Sequence, residues 1–171
     1  MDLYSFLASH SISYERVDHP AVYTCEQAEQ LVPPMPGTDT KNLLVRDKKG
    51  RRHFLIVVGY EKSVDLKALS PLLDVNGLSF ASPERLMKYL GIEPGSVSLL
   101  AIVNDTECAV EVLLDEDLWK TDMLKCHPLV NTSTLAIRRT DIEKILTVTG
   151  HSWQVLSVPG MDSNTGEALP K

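Results

Sequence analysis

The sequence predicts an α+β fold whose sheet can curl into a barrel, and three observations predict it. Strand-like runs follow one another in hairpin order, as in "TKNLLVRDKKGRRHFLIVV", where two apolar runs flank the turn Asp47-Lys48-Lys49-Gly50. Short segments with helix start and stop signals fall between the runs, as in "SPERLMKYLG". Further apolar runs, "AVEVLL", "STLAIR" and "SWQVLSV", continue the strand pattern to the end of the chain.

Each element has a local reason. Asp2 caps a short helix that puts Leu3, Phe6 and Leu7 on one face. "SYERVDHP" is extended and stops at His19-Pro20, because proline disfavours helix in the residue before it. Thr24 and Gln27 form a capping box for a helix reaching about Val32, which the constrained loop "VPPMPG" ends. In the hairpin, "HFLIVV" is apolar on both faces and is therefore a central strand. Asp65 caps a helix over "LKALSPLL". Ser82-Pro83-Glu84 starts the next, with serine as cap, proline at the first helical position and Gly91 as terminator. "SVSLLAIV" and "AVEVLL" are two strands split by Asn104-Asp105, and "STLAIR" is another. Thr140 and Glu143 cap a helix ending at Gly150, and "SWQVLSV" is the last strand. Residues 160–171 lack periodicity and read as a flexible tail behind one domain of residues 1–159.

Composition narrows the function. A chain of 171 residues, 43% hydrophobic and 23% charged, is ordinary for a globular protein with a sizeable core. A net charge of −6 speaks against wrapping a long duplex, since neutralising phosphates needs many Lys and Arg, but leaves room for a small patch that touches one end of a nucleic acid. "MDLYSFLASH" has no basic n-region, and no window nears the ~20 apolar residues of a membrane helix, so the expected location is the cytoplasm, without a membrane or DNA partner. Cys25, Cys108 and Cys126 have no zinc-site spacing and are expected to be reduced, mostly buried thiols. Neither a P-loop, a dinucleotide fingerprint, GxSxG, HExxH nor a paired-carboxylate signature occurs, so neither cofactor nor metal is expected.

Few polar residues stand out. Strand side chains alternate, so Lys41 shares a face with Leu43 and Val45 and heads a row that otherwise looks like core. Either it snorkels from the strand's start, or it is a fixed positive charge at a cavity mouth, suited to a phosphate or polarised carbonyl, with Asn42 as a neighbouring contact. "CHPLVNTST" is polar for a segment entering a strand. It is either a turn in which Asn131 and Thr132 bond their own backbone, or a binding loop whose His127 and Asn131 face the cavity of Lys41. "RDKKGRR" carries five basic residues and one acid, whereas residues 105–122 hold seven acids, so the surface is electrically lopsided. "LGIEPGSV" reads as a helix exit and a tight turn, and His10, His53 and His151 read as incidental.

Taken together, "HPAVYTCEQAE", "GTDTKNLLVRDKKG", "LSFASPERLMKYLGIEPGSV", "IVND" and "CHPLVNTSTLAI" resemble, in order, the YbaK/ProX family over about residues 1–158. These are free-standing relatives of the editing domain inserted in bacterial prolyl-tRNA synthetases. "TKNL" with "HPLxNT" points to the ProX branch, known for deacylating Ala-tRNA(Pro). The resemblance implies an α+β fold with a central, mixed, barrel-like sheet covered by helices. It implies that Lys41 matches the family's essential catalytic lysine and Asn42 its polar neighbour. It also implies that His127 shapes a small aminoacyl pocket and that Asn131 lies in the same motif. The implied partners are the acceptor end of mischarged tRNA(Pro) and prolyl-tRNA synthetase. Two departures stand out. Relatives often carry histidine at the position of Asp39. The family's Gly-x-x-x-Pro loop is here Gly95-Ser96-Val97-Ser98-Leu99, which keeps Gly95 and Ser96 as substrate-binding residues and alters the pocket wall near Leu99.

An aminoacyl ester is already activated, so water can attack it without a strong protein nucleophile, helped by the adjacent ribose hydroxyl. Lys41 then holds the terminal phosphate or the carbonyl, and backbone amides near Gly95 stabilise the oxyanion. A site that admits alanine and rejects the proline ring completes a double sieve. Two alternatives stand beside this: the same chemistry on seryl, threonyl, cysteinyl or 2-aminobutyryl esters, and a non-catalytic module that binds tRNA ends or a synthetase. A cysteine nucleophile is disfavoured, because Cys126 next to His127 in an extended chain points the other way.

Overall fold

A computed structural model describes residues 2–22 and 25–161. In chain order these form α1 (Leu3–Ser9), β1 (Tyr14–Asp18), α2 (Cys25–Leu31), β2 (Thr40–Asp47), β3 (His53–Gly59), α3 (Leu66–Leu72), β4 (Leu78–Phe80) and α4 (Pro83–Leu90). A 3-10 helix (Leu99–Asn104) follows, then β5 (Val110–Asp115), α5 (Glu116–Trp119), β6 (Met123–Cys126), β7 (Ser133–Arg138), α6 (Arg139–Thr149) and β8 (Trp153–Leu156).

The capping logic holds at the molecular level. Asp2 accepts the N–H groups of Tyr4 and Ser5, Asp65 that of Ala68 and Ser82 that of Arg85. Gly91 and Gly150 end their helices in the left-handed conformation, at φ +64° and +80°. Asp47 holds the hairpin turn by accepting the Arg51 and Arg52 N–H groups at 2.8 and 3.1 Å.

The larger sheet has strand order β4-β2-β3-β5-β8, antiparallel from β4 to β3 and parallel from β3 to β8. The smaller sheet, β1-β7-β6, is antiparallel. The α+β class and the mixed central sheet are therefore as expected. The curl toward a barrel takes the form of two sheets joined by a parallel bridge between Thr38 and Leu124, and not of one closed cylinder. As its two apolar faces require, β3 is central. One face contributes Leu55 and Val57 to a core shared with Leu124, Leu135 and Ile137 of the smaller sheet. The other contributes Phe54, Ile56 and Val58 to a second cluster beneath Leu69 and Leu73 of the α3 region.

Several expectations need correction. "SVSLLAIV" is no strand: its Leu99–Asn104 part is the 3-10 helix, with Leu99, Leu100, Ala101 and Ile102 all buried. A short run that is apolar on every side carries no period to separate strand from helix. Thr140 and Glu143 form no capping box. The strand β7 runs straight into α6, whose first N–H, from Arg139, bonds the Asp122 carbonyl at 2.8 Å, while Glu143 pairs with Arg139. Gly160 and Met161, read as tail, bond to Val64 and Ser63, so the ordered chain runs past 159. Thr24 and residues 162–171 lie outside the described residues. Cys108 is exposed, unlike the buried Cys126. Three elements were not foreseen: β4, α5 and β6, each of three or four residues, too short to show a period. No helix among the described residues is long and apolar enough to cross a membrane.

Leu55 has no exposed surface and sits in the shared core. Leu55→Ala is expected to cost about 2–5 kcal/mol, read as a lowered midpoint in chemical denaturation.

Candidate functional site

Three segments distant in sequence converge at the first half of β2. Asn42 lies on the face of Leu44, toward the shared core. Its Oδ1 accepts the N–H of Leu99 at 3.0 Å, which ties β2 to the start of the 3-10 helix. The neighbouring Ser98, with no exposed surface, donates its hydroxyl to the His127 carbonyl and accepts the Leu100 N–H at 3.2 Å. Asn42, the Gly95–Leu99 loop and His127 are thus one bonded constellation.

The loop's shape follows from its residues. Gly95 adopts φ +91°, a conformation that L side chains rarely take, and the Ser96 N–H closes a turn onto the Glu93 carbonyl at 3.1 Å. Ser98 is extended and caps the 3-10 helix. The amides of Ser96, Leu99 and Leu100 are committed to these bonds, which removes them as oxyanion donors. Gly95 is exposed and Ser96 half-buried. Leu99 is 1% exposed, so its side chain belongs to the core and not to a pocket wall.

His127 is half-buried, and its Nδ1 meets the Ser133 carbonyl at 3.2 Å. A carbonyl only accepts, so Nδ1 carries the proton and Nε2 of the neutral ring is an acceptor, with no hydrogen-bond partner among the described residues. Burial pushes the imidazole pKa below the usual histidine value. The Ser133 bond opposes this in part, and nearby His19 adds to it.

Asn131 plays a different part. Its Nδ2 donates to the Val22 carbonyl and its own carbonyl accepts the Val22 N–H, both at 3.3 Å. It clasps the 19–22 segment to the loop, as does His19, whose N–H bonds the Thr132 carbonyl and whose Nε2 meets the Thr134 hydroxyl at 2.8 Å.

Lys41 is half-buried at the head of the row expected for it, with Leu43 and Val45 in the second core cluster. Alternation sends Lys41 and Asn42 from opposite faces of β2. A ligand that engages both must therefore lie across the start of the strand. The β4 strand pairs only with Val45–Asp47, so it leaves that stretch uncovered. Asp39, just before the strand, pairs with Lys125 of β6 at 3.3 Å, and Thr40 donates to the Lys125 carbonyl at 2.6 Å.

Other chemistry is weak here. Burial raises the Cys126 thiol to about 12, so it is no thiolate nucleophile. Two surface hollows lie elsewhere, one beside Met123 and Arg138, the other at the hairpin turn beside Lys48 and Asn76. Arg52, which borders the second, is held in a two-pronged pair by Glu111. Ser98 and Thr40 escaped the sequence reading. The signal for Ser98 was a cap residue before an apolar run; for Thr40 there was none.

Residues 19–145 match the family described as the aminoacyl-tRNA editing domain. The chain is similar to the "Prolyl-tRNA editing protein ProX" of Acetoanaerobium sticklandii, with 35% identity over 86% of this chain and 90% of that one. It is also similar to the "Prolyl-tRNA synthetase associated domain-containing protein 1" of Danio rerio, with 34% identity over 91% of this chain and 85% of that one. Among solved structures, one described as a candidate trans-editing enzyme for prolyl-tRNA synthetase superposes with a TM-score of 0.66 at 22% identity, over 91% of this chain and 92% of that one.

Ser98→Ala leaves the His127 carbonyl and the Leu100 N–H without their partner and is expected to cost about 1–3 kcal/mol, read by denaturant titration. His127 should titrate by NMR below the ordinary histidine value of 6.5. Because its native pKa is depressed, the stability held by the neutral ring is complete above the unfolded value. It is lost as pH falls through the native one.

Proposed function

The chain belongs to the aminoacyl-tRNA editing domain family, and from that membership we propose that it is a trans-acting deacylase for mischarged tRNA(Pro), with the alanyl ester as preferred substrate. The observation that carries this reading is the constellation itself. Asn42, the Gly95–Leu99 loop and His127, joined by bonds that span 57 and 29 residues of sequence, are bonded together at the start of the strand that bears Lys41.

In this reading the acceptor end of the tRNA lies across the start of β2. The Lys41 ammonium holds a phosphate or carbonyl oxygen of the terminal nucleotide, and the Asn42 amide contacts the substrate from the other face. The neutral Nε2 of His127 accepts a hydrogen bond from the substrate ammonium or from the attacking water. Gly95 and Ser96 border the aminoacyl group. The ester is activated already, so holding it against water in one geometry supplies the rate. The small site admits alanine and excludes the proline ring, a discrimination that a synthetase pocket cannot make against a smaller side chain. Prolyl-tRNA synthetase, as the source of the mischarged tRNA, is the natural partner.

Single-turnover deacylation of tRNA(Pro) carrying alanine, serine, cysteine or 2-aminobutyrate tests the proposal, with alanine expected to be lost fastest. Retention of all four esters would leave only a module that binds tRNA ends. Lys41→Ala should lower the rate by about 10²-fold or more, with the unfolding midpoint kept. His127→Ala should widen the range of esters accepted; an unchanged profile would make His127 purely structural.

A further inference from the structure

The substrate of the proposed reaction carries a charge that Lys41, Asn42 and His127 leave without a counter-charge. An aminoacyl ester has an α-ammonium next to its carbonyl, and an ammonium only donates hydrogen bonds. Acceptors around the start of β2 are few. Asn42 Oδ1 already takes the Leu99 N–H at 3.0 Å, and the His127 ring, held neutral by burial, offers one uncharged nitrogen. The charged acceptor there is Asp39.

Its placement follows from the sheet. The Asp39 carbonyl accepts the Tyr60 N–H at 3.2 Å, one step beyond the Thr40–Gly59 pair, so the β2–β3 ladder reaches back to residue 39. Alternation then puts the Asp39 and Lys41 side chains on one face, with their Cα atoms about 7 Å apart. An anion and a cation thus stand side by side, matching a ligand with an ammonium next to an electron-rich oxygen. The Asp39 side chain is 53% exposed, and its Oδ1 pairs with Lys125 at 3.3 Å, while Oδ2 has no partner among the described residues. Lys125 is itself held in place. Its stem crosses Gly37, where a Cβ would come within 3.2 Å of the Lys125 Cγ, and only 17% of its side chain is exposed. It steadies one carboxylate oxygen and leaves the other to a ligand.

We propose that Asp39 is the binding residue for the α-ammonium of the aminoacyl group, which makes the site selective for esters with a free amine. This rests on the deacylase reading and names a group that the site requires on its substrate. With the ammonium on Asp39, the Nε2 acceptor of His127 is left to the attacking water. A histidine at this position, as relatives often carry, also offers an acceptor nitrogen; the carboxylate adds the opposite charge.

The test compares tRNA(Pro) charged with alanine and with lactate, in which a hydroxyl replaces the ammonium, each rate being divided by that of the same ester in buffer alone. Wild type should favour the alanyl ester by about tenfold in kcat/KM. Asp39→Asn should bring that ratio close to one, mainly by losing the alanyl ester. Lys125→Met removes the ion pair and keeps the carboxylate, so it should keep the ratio. A wild-type ratio near one, an unchanged ratio in Asp39→Asn, or a ratio lost equally in Lys125→Met would overturn the proposal. The deacylase reading fails separately, through a wild-type protein that hydrolyses neither ester. In that event, binding of 3′-alanylamino-3′-deoxyadenosine and of its lactyl counterpart replaces kcat/KM as the readout. Binding of the alanyl compound about tenfold tighter in wild type, with the difference lost in Asp39→Asn, supports the role of Asp39, and equal binding of the two by wild type overturns it.

Discussion

The hydroxyl of Ser98 is the joint on which the site depends. Its oxygen has no exposed surface, gives its proton to the His127 carbonyl and takes the Leu100 N–H. One atom thereby fixes the start of the 3-10 helix and the loop between β6 and β7. The neighbouring residue hands its N–H to Asn42, so the larger sheet is held to the same point. Beyond His127 the chain of bonds continues through Ser133, whose hydroxyl donates to Asp18 at the end of β1. Both sheets and the loop between them are linked by a run of polar contacts along the edge of an apolar core. A buried polar network is worth its desolvation only if each member is satisfied, and no buried side-chain polar atom among the described residues lacks a partner. The geometry around His127 is therefore over-determined.

Alternation along β2 imposes the second constraint. Lys41 and Asn42 are consecutive, so one leaves the strand on the side of the second cluster and the other toward the shared core. Neither face of the sheet can hold a ligand that meets both. The start of the strand can. There β2 is not covered by β4 and is tied to β6 by Thr38, Asp39 and Thr40. The bridge that joins the sheets thus also frames the place where the two side chains can converge.

Most of the frame was legible in the sequence because it is written in local chemistry. Asp2, Asp65 and Ser82 cap helices through side-chain oxygens, and "HFLIVV" declares itself central by being apolar on both faces. What was lost in reading depends on pairing over long separations or on segments without a period. "SLLAIV" is buried on all sides and so looks the same as a strand or a helix. The junction of the two sheets rests on the pairing of Thr38 with Leu124, which no local pattern encodes. At the site, Lys41, Asn42 and His127 stood out by residue type. The bonds that assemble them run from side chain to backbone, from Asn42 to Leu99 and from Ser98 to His127, and backbone atoms leave no trace in a sequence. Asn131 shows the converse: a conspicuous residue whose amide is spent on Val22.

The chemistry of the groups present limits what the site can do. Cys126 lies in the core with its thiol pKa raised to about 12, and His127 is held neutral by burial, with one nitrogen already donating to Ser133. Neither is an activated nucleophile. What remains are groups that hold: an ammonium, an amide, an imidazole acceptor and a loop shaped by Gly95. Such a set is poor at breaking an unactivated bond, where a nucleophile or strong base must lower the barrier. For a bond that water already attacks unaided, fixing the reactants in one geometry and admitting only small side chains is sufficient. An aminoacyl ester is such a bond. The absence of a nucleophile among these groups is therefore consistent with editing, since a proofreading site needs selectivity more than chemical power.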